Sequence, residues 1–292
     1  MPETSPALVT SDQLSYTHEF EATDLDAISK CLDDYGFAVV KEMISTEFAE
    51  ELAEGVSSSC DPFNNLAVGQ TRVRHAFCEF TPAILKLLDN EPWLAIQRRL
   101  LGTEEMTVHR CAAILKNVGS GPVSWHTDWS GYHEGEPKNA SAALNVGEAP
   151  SGAWFYLDGT RPHRAGLSII PGSHRMDWQG PDDFEFTEGR SSFYPKGQTP
   201  GNHVEPNPPG AVALITDPGD MILFGARTYH YASAHNGDSA RRSCALGMRA
   251  GRTPYNVPWG PSEGNRFLQS SIPERYKPYM EHYVGFTPWT RK

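Results

Sequence analysis

No run of apolar residues in this chain approaches the ~20 needed to span a bilayer, so a membrane-crossing helix is not expected. The N-terminal stretch MPETSPALVTSDQLSYTHEFEA has neither the basic start nor the apolar core of a signal peptide, and a cytoplasmic location is the default expectation. Cysteine is scarce: Cys31, Cys60, Cys78, Cys111 and Cys244 are far apart, odd in number and form no CxxC. That argues against a disulfide framework or a structural zinc site, and for buried thiols in a reducing compartment. Basic residues are outnumbered, 25 Lys and Arg against 36 Asp and Glu, for a formal net charge of −11, and they form no stripe. Neither nucleic acid nor an anionic membrane surface is therefore expected as the main partner. Internal repeats and low-complexity tracts are also missing. What remains has the composition of a globular protein, long enough at 292 residues to bury a full core. A small molecule is the expected partner; oligomeric state is not readable from these features.

Along the chain, helical signals come first. Leu25, Ile28 and Leu32 recur at helical spacing after Asp24, a candidate N-cap, and Gly36 stops the pattern. Phe37-Ala38-Val39-Val40 reads as a strand. Ser45 or Thr46 caps a second helix from Glu47 to Val56, and residues 57 to 75 read as an irregular loop. Thr81 to Leu101 is helical in pattern, with a break at Pro92 and Gly102 at the end. From Met106 onward the pattern changes to short strands with turn signals: 106–116, 123–129, 142–146, 153–157, 167–170, 212–216, 221–224 and 242–248. The expected fold is mainly β with flanking helices: a double-stranded β-helix, or cupin-like jelly roll, with N-terminal helices packed on it. We expect a single domain over 1–292, with a helical part to about 105, the β core over about 106–250 and a tail over 251–292. The Pro- and Gly-rich stretch 176–210 is a candidate lid, because loops of that length are usually functional. One short helix is expected in the tail, near Glu274 to Tyr283.

Chemistry concentrates in Ser124-Trp125-His126-Thr127-Asp128-Trp129. In an extended strand, residues two apart share a face, so His126 and Asp128 aim at one point. An imidazole and a carboxylate, completed by a second histidine, make the facial triad of non-haem Fe(II) oxygenases. A His and an Asp two apart also arise by chance, so the third ligand must come from elsewhere. The segment Gly219 to Gly237 offers two, His230 and His235, before the hairpin signal Asn236-Gly237. The returning strand, Ala240-Arg241-Arg242-Ser243, would set an arginine against the histidine strand. A guanidinium near an open metal position suits a dicarboxylate, which it pairs bidentately.

Trp125-His126-Thr127-Asp128, Gly166-Leu167-Ser168-Ile169-Ile170-Pro171-Gly172-Ser173-His174-Arg175, and Gly219-Asp220 through His230 to Arg241 together resemble the phytanoyl-CoA dioxygenase family, over roughly residues 24 to 250. The family's enzymes are Fe(II)- and 2-oxoglutarate-dependent oxygenases on a jelly roll. The chain departs from the pattern in the long 176–210 insertion and the loop after Asp128.

The resemblance implies Fe(II) held by His126, Asp128 and His230, with 2-oxoglutarate and O2 as co-substrates. His230 is chosen over His235 because the family's arginine follows its distal histidine by about the eleven residues that separate His230 from Arg241. Arg241 then anchors the far carboxylate. Arg242 is its rival, pointing the other way by strand alternation, and Ser243 shares the face of Arg241. Trp154 and Lys116 are candidate co-substrate contacts. Trp129, Tyr132 and His109 are candidate substrate contacts, each with core packing as the plain alternative. Related halogenases carry a small residue in place of the aspartate, so Asp128 implies hydroxylation, or another oxidation of a C–H bond, with succinate and CO2 released. Two other readings remain open: a cupin-like metal-dependent hydrolase or isomerase, and a non-catalytic metal-binding protein. The substrate is not named by the sequence, although Arg161, His163, Arg164 and Arg175 form a basic group to locate if it is a CoA thioester.

Overall fold

Two β-sheets face each other across a shared apolar layer, and helices cover the outer face of the larger sheet. The computed structural model describes residues 8–128, 152–199, 207–251 and 261–285. In chain order the strands are β1 Val9–Thr10, β2 Glu19–Phe20, β3 Phe37–Val40, β4 Thr71–His75, β5 Met106–Lys116, β6 Val123–His126, β7 Gly152–Tyr156, β8 Leu167–Ile169, β9 Phe184–Phe186, β10 Phe193–Pro195, β11 Val212–Ala213, β12 Met221–Phe224, β13 His230–Ala232 and β14 Arg241–Ala250. The α-helices are α1 Leu25–Tyr35, α2 Thr46–Cys60, α3 Glu91–Leu101, α4 Glu263–Ser271 and α5 Lys277–Met280.

Among the described residues, the larger sheet runs in the order β2-β3-β12-β7-β14-β5-β4 and the smaller in the order β1-β11-β8-β13-β6. The architecture is thus a mixed α/β one rich in sheet. Alternation along β12 shows how one strand serves two layers. Met221 and Leu223 pack with α1, α2 and α3, whereas Ile222 and Phe224 face the smaller sheet and meet Leu167, Ile169, Val212 and Leu214. A third cluster, Trp125, Phe193, Tyr229 and Tyr231, lies on the outer side of the smaller sheet, under the β9–β10 hairpin.

The helix ends follow local chemistry. Gly36 and Gly102 take the left-handed conformation that closes α1 and α3. Ser45 caps α2 by accepting a hydrogen bond from Phe48 N at 3.2 Å, and the helix continues to Cys60, beyond the expected Val56. Asp24 stands at the start of α1, but its carboxylate accepts from Glu21 N instead of the first turn. The break in the 81–101 pattern falls at Asn90, which caps α3 through Trp93 N at 3.0 Å; Pro92 sits inside the first turn, where a missing N–H is harmless. The segment before it, Pro82–Asp89, is 3₁₀. In the tail, α4 was not expected; Ser262 caps it through Asn265 N at 2.9 Å.

Three further expectations are corrected. The part before residue 105, expected to be helical apart from the Phe37–Val40 strand, also contributes β2 and β4 to the larger sheet; β3, the expected strand, pairs with β12 along its whole length. The stretch 176–199 is not a structureless loop, because it holds the β9–β10 hairpin, anchored by aromatic packing of Trp178, Phe184, Phe186 and Phe193. Asn236-Gly237 does not close a hairpin between the histidine and arginine strands. β13 pairs with β6 and β8, whereas β14 pairs with β5 and β7, so the chain crosses between sheets over residues 233–240. The expected strand 142–146 and the tip of the 176–210 stretch lie outside the described residues. All five cysteines are buried and unpaired. No helix among the described residues is long and apolar enough to cross a membrane.

Candidate active site

His126 and His230 stand directly opposite each other where β6 pairs with β13, with ring centroids 4.1 Å apart. The register between these strands slips: Val123 pairs with Ala232 and His126 with His230, three residues against two. This is a β-bulge, which re-aims side chains. Strict alternation from Val123 would turn His126 outward; the bulge lets both line the same cavity while Trp125 stays in the outer aromatic cluster. Asp128 follows just beyond the strand end. The donor atoms of His126, Asp128 and His230 all lie within 4.8 Å of one another, the only such group among the described residues.

Backbone carbonyls set the imidazole tautomers. Nδ1 of His126 lies 2.8 Å from Ser124 O, and Nδ1 of His230 lies 3.0 Å from Thr228 O. A neutral ring that donates from Nδ1 carries its free lone pair on Nε2, the state a metal needs. Burial and the facing His126 push His230 down to about 4, so its ring is neutral at ordinary pH. Desolvation raises the Asp128 carboxyl, but Arg110 and the two imidazoles outweigh it and hold it below its ordinary value. Two imidazoles and a carboxylate fit a divalent metal of the iron type.

The surrounding cavity has a volume of about 300 Å³ and draws its walls from both sheets. β6, β13 and Asp128, two residues beyond the end of β6, contribute the three candidate ligands. β5 contributes Arg110, Ala112, Ile114 and Lys116, and β14 contributes Arg241. Arg241 is 2% exposed and Lys116 1% exposed, and they are register partners across β14 and β5. The Arg241 guanidinium donates to Ser243 Oγ and lies over the Tyr156 ring, and its Nε has no partner. Lys116 Nζ donates to Gly121 O at 2.9 Å. Burial, then the neighbouring Arg241, lowers Lys116 to about 8. Neither cation has a carboxylate within ion-pair distance among the described residues. A buried guanidinium without a counterion is costly, and it marks the place where an anionic ligand would be held.

The remaining candidates separate clearly. Arg242 points away from the cavity into a bidentate pair with Asp158, Nε to Oδ2 at 3.1 Å and Nη2 to Oδ1 at 2.5 Å. Ser243 is buried behind Arg241 and does not line the cavity. Trp154 does line it. His109 does not: it is buried at a second bulge, where the β5–β14 register steps from Val108 to Arg110. His235 is buried outside the ligand group, with Nδ1 accepting from Gly237 N. Trp129 and Tyr132 lie outside the described residues. The basic group does not gather at the cavity: Arg161 pairs with Asp217 at 2.8 Å, Arg164 donates to Ser239, and Arg175 donates to Asp34 O. Arg110, His75, Tyr156 and Phe224 line the cavity without having been singled out. Arg110 was detectable, because it shares strand parity with Lys116 whereas His109 does not.

Comparison with known proteins places these features in context. A family model described as phytanoyl-CoA dioxygenase matches residues 21–243. The ectoine dioxygenase of Sphingopyxis alaskensis is 24% identical over 187 residues, 62% of this chain and 58% of that protein, so the match spans less than two thirds of its length. Among solved structures, EvdO2 from Micromonospora carbonacea var. aurantiaca, complexed with 2-oxoglutarate, superposes with a TM-score of 0.56 at 19% identity, over 80% of this chain and 94% of that one. The epimerase SnoN of nogalamycin biosynthesis, in complex with Fe3+, alpha-ketoglutarate and nogalamycin RO, gives 0.55 at 18% identity, over 91% and 96%. These likenesses establish a shared fold.

Proposed function

The chain belongs to the phytanoyl-CoA dioxygenase family, and from that premise we propose that it is a non-haem Fe(II)- and 2-oxoglutarate-dependent oxygenase that oxidises a C–H bond of a small-molecule metabolite. We read the two facing sheets as the halves of a double-stranded β-helix and the whole chain as one catalytic domain. The observation that carries the reading is one cavity that joins the His126, Asp128 and His230 donor set to a buried, carboxylate-free Arg241. The donor set alone would also suit zinc. The buried cation pair supports a dicarboxylate co-substrate, which a zinc hydrolase has no need of.

In this reading His126 and His230 bind the metal through Nε2, with Ser124 O and Thr228 O fixing the rings. Asp128 supplies the third ligand as a carboxylate. Fe(II) held there would, with 2-oxoglutarate and O2, supply the oxidising power. Arg241 holds the far carboxylate of 2-oxoglutarate, Ser243 holds Arg241, and Lys116 adds a second positive charge. Trp154, Leu167 and Phe224 form apolar wall that keeps water from the reacting centre. Calorimetric titration of 2-oxoglutarate into metal-loaded protein tests the reading: saturable binding in the wild type that is lost in R241Q is expected, and wild-type affinity in R241Q would contradict it.

A further inference from the structure

The two candidate imidazoles are held in different ways. Ser124 O, which faces Nδ1 of His126, lies inside strand β6. Thr228 O, which faces Nδ1 of His230, lies before β13, in the turn that joins it to β12. A turn residue has no ladder to hold it, so its carbonyl must be placed by other contacts. Those contacts come from the C-terminal end of α1. Gly36 O accepts from Thr228 Oγ1 at 2.7 Å and from Gly225 N at 3.0 Å. Thr228 N donates to Gly225 O at 2.8 Å, which closes the turn, and the whole residue is buried. Gly36 has a φ of 80°, and a Cβ there would lie 2.5 Å from His174 Nδ1 and 2.8 Å from Thr228 Oγ1. Only glycine lets the helix end and the turn approach this closely.

The turn Pro171-Gly172-Ser173-His174-Arg175, which the proposed function leaves without a role, closes the same block. Gly172 N donates to Tyr35 O at 2.8 Å, Arg175 Nη2 donates to Asp34 O at 3.1 Å, and His174 Nε2 lies 3.0 Å from Asp33 O. Three of the carbonyls that α1 leaves open at its end are thereby met. The buried Ser173 then reaches toward the metal strand: its Oγ accepts from Tyr229 N at 3.0 Å, between Thr228 and His230. Satisfied polar networks of this kind rigidify what they hold. We propose that Thr228 and Ser173 are positioning residues, through which the end of α1 and the 171–175 turn set the ring of His230, a role that rests on the assignment of His230 as a metal ligand. Neither residue touches the metal. Thr228 Oγ1 fixes the turn whose carbonyl orients the imidazole, and Ser173 fixes the backbone immediately before it. The ring is thus preorganised with its Nε2 lone pair toward the cavity.

The test compares full-length wild type, T228V, T228S and S173A by two readouts. Long-range proton–nitrogen correlation spectra of the metal-free protein report the tautomer of the His230 ring, assigned by its absence in H230Q. Calorimetric titration with Mn(II) reports metal affinity. Wild type should show a single tautomer with the proton on Nδ1. T228V and S173A should show a mixture of tautomers and bind Mn(II) about tenfold or more weakly, the usual cost of losing a group that orients a ligand. T228S keeps the hydroxyl and should match wild type to within a few-fold. S173A acts from the other side of the block, so it decides the matter if T228V does not fold. A single Nδ1–H tautomer with Mn(II) affinity within twofold of wild type in both T228V and S173A overturns the proposal, even where their melting temperatures fall. A loss in T228S equal to that in T228V overturns it as well. A wild type that binds no Mn(II) contradicts the metal reading instead, and the ring tautomers of the metal-free variants still decide the positioning role.

Discussion

Lys116 and Arg241 stand opposite each other in the β5–β14 ladder, both almost fully buried and without a carboxylate partner among the described residues. Two like charges at one register position disfavour the empty fold. They are tolerated where a dianionic ligand is meant to sit, and the first prediction follows from this. R241Q should weaken 2-oxoglutarate binding about a hundredfold or more, the usual consequence of removing one partner of a buried charge pair. K116M should weaken it by a smaller factor. Titration calorimetry with metal-loaded protein measures both.

Arg242 provides the control on the same strand. Its guanidinium is tied to Asp158, away from the cavity. R242Q should therefore leave 2-oxoglutarate affinity within a few-fold of wild type. It should lower stability by about 1–3 kcal/mol, because Asp158 loses a charge-assisted partner. Urea denaturation measures the second effect, and a large loss of affinity in R242Q would reverse the assignment of the two arginines.

The β9–β10 hairpin braces the candidate metal strands. Thr127 N donates to Ser191 O at 2.9 Å, Ser192 Oγ donates to Trp125 O, and Tyr229 Oη donates to Arg190 O. Phe193 is fully buried against Trp125, Tyr229 and Trp178. F193A should cost about 3–5 kcal/mol, and it should weaken metal binding through the loosened His126–Asp128 segment. A fluorescence unfolding curve and a competitive metal titration report the two effects separately.

His109 makes stability depend on pH. Burial, with Arg110 and Arg249 nearby, lowers it to about 3 from an ordinary value of 6.5. Between these values the unfolded chain binds a proton that the folded protein refuses, so stability falls as pH drops from about 6.5 toward 3. The loss should reach roughly 1.5 kcal/mol between pH 6.5 and 5. H109Q should flatten that slope; an unchanged slope would show that His109 is not the group responsible.

The sequence carried the candidate donor group, the buried arginine of the cavity and most strand positions, because each leaves a local mark: i, i+2 spacing, apolar alternation, capping residues. What it did not carry is which strands pair. Asn236-Gly237 has the local chemistry of a hairpin turn, yet the chain uses residues 233–240 to pass from one sheet to the other, and only long-range packing decides that. The bulge that turns His126 inward is hidden for the same reason: nothing in Val123-Ser124-Trp125-His126 shows where the partner strand will slip. Arg110 was masked by the choice of His109, its neighbour of opposite parity, for the same cavity.

The most direct measurement is succinate formation from 2-oxoglutarate by purified wild type and D128A, with Fe(II) and O2 and with a library of small metabolites. The account predicts succinate that requires Fe(II) and O2, rises with a substrate from the library, and disappears in D128A. Succinate formation at the wild-type rate in D128A, or none in wild type under any of these conditions, would contradict it.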